Sequence, residues 1–99
     1  MDFNRSADIS SELGSSDVDF QSLQEAGNDV KFQMVPGGIL IKDTVNSERN
    51  VALSLWNDGA NASEVTLTLT TNVIHDMNVR KIFQTGTENV NIIVFGNSL

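Results

Sequence analysis

Glu64-Val65-Thr66-Leu67-Thr68-Leu69-Thr70 alternates without a break, with Val65, Leu67 and Leu69 on one parity and Glu64 and the threonines on the other. A period of two belongs to an extended strand, whose successive side chains leave by opposite faces. The segment is therefore predicted as a strand with its aliphatic residues on a core and Thr66, Thr68 and Thr70 in solvent. β-Branched threonine suits such a pleated outer surface.

Working upstream, Val51, Leu53 and Leu55 alternate with Ala52, Ser54 and Trp56. Between the two runs lies Asn57-Asp58-Gly59-Ala60-Asn61, whose Asp-Gly pair tolerates positive φ and marks a turn. Strand, turn and strand make a hairpin. The stretch Asn50-Val51-Ala52-Leu53-Ser54-Leu55-Trp56-Asn57-Asp58-Gly59, with Ala62-Ser63-Glu64-Val65-Thr66-Leu67-Thr68-Leu69 after it, resembles a strand-turn-strand unit of bacterial and archaeal immunoglobulin-like adhesion modules. The resemblance bears on fold and assigns no function.

Other segments extend the β reading. Val30, Phe32 and Met34 alternate with Lys31 and Gln33, a strand expected to stop at Pro36-Gly37-Gly38, and Ile39-Leu40-Ile41 is a short apolar run. Val79 to Phe83 and Asn89 to Phe95 are two more strands, separated by the turn-like Thr85-Gly86-Thr87-Glu88. In the last of these Val90, Ile92 and Val94 face one way while Ile93 and Phe95 face the other, as in a strand covered on both faces. Val73 to Met77 reads as a bend or a short helical turn. The sum is roughly six short strands with turns between them, a mainly β chain. The expected architecture is a small β-sandwich, Greek-key and immunoglobulin-like or else jelly-roll-like.

The N-terminal part reads differently. Residues 1–15 hold many serines and no sustained period, and are expected to form a flexible acidic arm. Residues 16–28 are expected to hold one short helix and a linker, with Ser16 as N-cap, Asp17 and Asp19 in the first turn and Gly27 as the left-handed stop. Its apolar patch, Val18 with Phe20 and Leu23, must pack on the sheet or on a neighbour. Residues 29–99 are then the β-sandwich domain.

Composition narrows the function classes. The chain has 99 residues, no cysteine and a net charge of −7, with seven acids and one base in residues 1–29. A negative segment is repelled by phosphate backbones and anionic lipid. Arg80-Lys81 is the one adjacent basic pair and tyrosine is absent, so no nucleic-acid surface is expected. The apolar run Ile92-Ile93-Val94-Phe95 is far short of the roughly 20 residues of a membrane-spanning helix, and Met1-Asp2-Phe3-Asn4-Arg5 does not open like a secretory signal. No membrane insertion is expected.

Chemistry-bearing patterns are sparse. His75 is the single histidine, and no Gly-x-Ser-x-Gly elbow is present, so the chain is not expected to be an enzyme. With one histidine and no cysteine, no transition-metal site and no cofactor are expected. Asn57, Asp58 and Asn61 bring oxygen-bearing side chains together as some calcium loops do, but without the distal glutamate of an EF-hand. Trp56 is either a second core contact or an anchor for a partner.

These observations lead to a non-enzymatic structural or interaction module. It self-associates or docks on a larger protein assembly, as virion components and surface-assembly modules of this build do by fold-level analogy. The candidate interaction residues are Trp56, Asn57, Asp58, Asn61, Phe20 and Leu23. The alternative is a module that binds a glycan or calcium through the 57–62 loop.

Overall fold

A computed structural model describes residues 3–56 and 63–99. The strands are β1 (Arg5–Asp8), β2 (Val18–Asp19), β3 (Met34–Lys42), β4 (Glu48–Leu55), β5 (Val65–Thr70), β6 (Ile74–Asp76), β7 (Val79–Phe83) and β8 (Asn91–Ser98). Two short helices, α1 (Ser10–Leu13) and α2 (Phe20–Ala26), and a 3-10 turn at Val30–Phe32 lie in the first third of the chain. The strands form two antiparallel four-stranded sheets, ordered β1-β8-β3-β6 and β2-β7-β4-β5. Both sheets contribute to one core that includes Ile9, Phe20, Phe32, Met34, Ile39, Ile41, Val51, Leu53, Val79, Ile82, Ile92 and Val94. Burial of this apolar surface is the main force holding the sheets together.

The expected hairpin is present: β4 and β5 pair antiparallel from Glu48 opposite Thr70 to Leu53 opposite Val65. Burial along β5 is graded. Leu69 is buried and Leu67 half-buried, but Val65, next to the end of the strand pair, is 39% exposed. Thr66, Thr68 and Thr70 are exposed, as the alternation required. On β4, Ala52 and Ser54 are buried as fully as Val51 and Leu53. Ala52 owes this to the turn after β7: a Cβ on Gly86 would lie 3.1 Å from its side chain, and the Thr87 hydroxyl accepts its N–H at 3.0 Å.

Several expectations are corrected. Residues 5–13 are not a flexible arm. β1 pairs with β8, Ile9 donates its N–H to the Ile92 carbonyl at 3.0 Å, and Ala7, Ile9 and Leu13 are core residues. Their alternation is brief and flanked by serines, so its apolar content looked too small to fold. As an edge beside an apolar strand, a four-residue segment needs little of its own.

Within 16–28, Val18 and Asp19 are strand rather than helix, and α2 begins only at Phe20, where Asp19 caps the Ser22 N–H at 3.2 Å. Gly27 ends α2 at φ 68°, a left-handed conformation that glycine takes without steric cost.

Of the alternation at 30–34, Val30–Phe32 form a 3-10 turn and only Met34 lies in a strand, as the first residue of β3. The Asp29 carboxylate accepts the Lys31 N–H at 3.1 Å and closes the turn locally, so Val30 is left exposed while Phe32 enters the core. The strand expected to stop at Pro36 instead runs through it to Lys42, with a register shift between Pro36 and Gly38 that absorbs the missing donor. Val73 to Met77 contains β6, an edge strand of three residues.

Candidate interaction surfaces

The first surface is the outer face of the β1-β8-β3-β6 sheet. Ile39 and Ile41 of β3 and Ile92 and Val94 of β8 are fully buried, so the residues alternating with them turn away from the core. Register places Leu40 beside both Ile93 and Ile74, and Gly38 beside Phe95 and Asp76. Phe3 lies across Gly37 and Gly38, so close that a Cβ on Gly37 would meet its ring at 2.8 Å. Its ring centroid is 6.2 Å from that of Phe95, with the planes tilted by 32°. Phe3, Leu40, Ile74, Ile93 and Phe95 thus share one face. Ile74 is 49% exposed and the other four are half-buried. Asp8, Lys42 and Asp76, all exposed, occupy the same face around them. An apolar patch with a charged border is the composition of a protein interface.

The second surface is a cleft of about 400 Å³ lined by Gln24, Val35, Pro36, Trp56 and Asn78. The Trp56 backbone N–H donates to the Asn78 carbonyl at 2.9 Å, and the half-buried indole packs against the core. Gln24 is held by its own hydrogen bonds: its side chain donates to the Met34 carbonyl and its backbone carbonyl accepts the Gln33 side chain at 3.2 Å.

The residues singled out from the sequence fare unevenly. Trp56 both packs on the core and lines the cleft. Phe20 is excluded as a surface contact: it is fully buried, edge-on to Phe32 at 5.5 Å between centroids. Leu23 is half-buried and packs on the same core. Asn57, Asp58, Asn61 and the rest of the 57–62 loop lie outside the described residues. Phe3 was hidden in the supposed arm. Leu40 and Ile74 were missed because neither run showed which parity faced outwards, whereas Ile93 and Phe95 were visible as a second apolar parity on their strand.

Asp8, Glu12 and Asp17 act as structural acceptors. Asp8 accepts the Ser10 hydroxyl at 2.6 Å and its N–H at 3.0 Å, and these bonds hold its carboxyl below the usual range. Burial pushes Glu12 up, but its ion pair with Lys31 and a bond from Ser11 outweigh that and leave it lowered. Asp17 accepts the Gln84 N–H at 2.8 Å. Asp8 and Glu12 thus tie the N-terminal segment to itself, and Asp17 ties it to the end of β7.

His75 makes a 2.8 Å contact from Nε2 to the Thr70 carbonyl. Among the described residues, no three of the acids and histidine gather where a metal ion could be held, and no helix is long and apolar enough to cross a membrane. No protein-family model matches the chain, and neither does any curated protein or solved structure.

Proposed function

We propose that the chain is a non-enzymatic structural module that associates with copies of itself, in a virion or surface-assembly setting. The single observation carrying this reading is the apolar outer face of Phe3, Leu40, Ile74, Ile93 and Phe95. A monomer would leave that face in water, and covering it is worth about 25 cal/mol for each Å² of apolar surface removed from solvent. The strand order supports a jelly roll within the β-sandwich class: first and last strands are neighbours in one sheet, and β2 with β7 in the other. An immunoglobulin-like order would put the first and second strands side by side. Jelly rolls serve as capsid and lectin domains, an analogy of fold only.

Light scattering with mass determination tests the reading on the native chain and on Ile74→Asp, a substitution at a half-exposed site. The native mass should rise above 10.8 kDa with concentration, and the variant should stay nearer the monomer. A native mass of 10.8 kDa at every concentration would overturn it.

The Trp56 cleft favours a second reading, a glycan-binding module, because it sets an indole beside the amides of Gln24 and Asn78. A thermal shift on adding glycans or calcium would support it.

A further inference from the structure

The four sheet edges are not alike. β1 is flanked by charged Arg5 and Asp8 and covered by the 3-10 turn, into which Arg5 donates at the Val30 carbonyl and from which Lys31 donates to the Asp8 carbonyl. β2 has two residues and β6 has three. β5 has six residues, Val-Thr-Leu-Thr-Leu-Thr, with no charge, no proline and no register shift against β4. It lacks the devices that usually protect an exposed edge from pairing.

The hydrogen bonds show which backbone groups β5 leaves open. Thr71 donates its N–H to the Ser47 carbonyl, so the odd-numbered residues Val65, Leu67 and Leu69 turn their backbone groups towards β4. The other side of β4 agrees: its even-numbered residues Asn50 and Ala52 bond to Glu88 and Thr87, away from β5. Thr66, Thr68 and Thr70 therefore turn theirs outwards. The Thr70 carbonyl is taken by His75 of the same chain. Among the described residues, Thr66 and Thr68 present outward N–H and C=O groups to which no partner is assigned.

We propose that β5 pairs antiparallel with β5 of a second copy, Thr66 of each chain exchanging backbone hydrogen bonds with Thr68 of the other. The proposal rests on the self-association reading and names a contact for it. This register sets Leu67 against Leu67 on the half-buried face and threonine against threonine on the outer face, both favourable cross-strand pairs. It sets Glu64 opposite Thr70, so no like charges meet. Asp17 and Asp19 lie at β2, the opposite edge of that sheet from β5, and do not oppose the contact. Edge and outer face are different surfaces, so two self-complementary contacts would build an open-ended assembly rather than a closed pair.

Residue-resolved amide hydrogen exchange on the full chain, dilute and concentrated, tests the proposal, with sedimentation velocity on Thr68→Pro and Ile74→Asp. Thr68→Pro removes an outward N–H and leaves the β4 ladder intact. On concentration the Thr66 and Thr68 amides should slow about tenfold or more, Leu67 and Leu69 being protected throughout, and Thr68→Pro should lower the mass. If the native chain associates, yet both amides keep their rates and only Ile74→Asp lowers the mass, the edge proposal is overturned and the self-association reading stands. A native chain that stays at 10.8 kDa throughout overturns both. Should Thr68→Pro fail to fold, the exchange rates of the native chain still decide.

Discussion

Ala7 stands opposite Val94 in the antiparallel ladder of β1 and β8, and both side chains are buried in the core. The N-terminal strand therefore belongs to the domain it precedes. Ile9, fully buried two residues on, should cost roughly 2–5 kcal/mol when truncated to alanine. Deleting residues 1–9 should cost more, since β8 would also lose its edge partner. Chemical denaturation checks this, and an unchanged unfolding midpoint after the deletion would restore the flexible arm.

The hairpin and its inward parity were legible because Glu64 to Thr70 obeys one period over a whole strand. Residues 5–13 were not, because β1 gains its stability from pairing with β8, more than eighty residues away, as in Arg5 opposite Gly96. Local composition carries no trace of such a partner. The 3-10 turn at Val30–Phe32 shows the opposite failure: three residues alternate correctly, but the Asp29 cap offered the backbone a nearer hydrogen bond. The outer apolar face was half legible, through Ile93 and Phe95, and became a surface only when the register set Leu40 and Ile74 beside them.

Gly96 is a site where any side chain should fail. A Cβ there would lie 2.3 Å from the Val35 carbonyl oxygen and 2.9 Å from the Met34 sulfur. Gly96→Ala should destabilise by roughly 1–3 kcal/mol or more, since the obstacle includes paired backbone. A change within error in urea unfolding would refute the close approach.

Along β5 the cost of truncation should follow burial. Leu69→Ala should lose roughly 2–5 kcal/mol, while Val65→Ala should stay near 0.5 kcal/mol, about the level of an ordinary surface change. Equal losses in denaturant unfolding would contradict the graded burial of the strand.

Acid should loosen the N-terminal segment. Asp8 and Glu12 both titrate below their ordinary values of 3.8 and 4.5 in the folded chain. The unfolded chain thus binds protons first, so their contribution is complete above about pH 5 and is lost as pH falls through the folded values. Asp8→Asn should flatten the dependence of melting temperature on pH below about 4.5, the range in which these carboxyls take up protons. A slope identical to that of the native chain would remove Asp8 from the acid response.

Self-association is tested by sedimentation equilibrium of the native chain from micromolar to near-millimolar concentration. The weight-average mass should climb steadily above 10.8 kDa without levelling at a dimer, because face and edge can both be occupied. A single 10.8 kDa species across the whole range would contradict it.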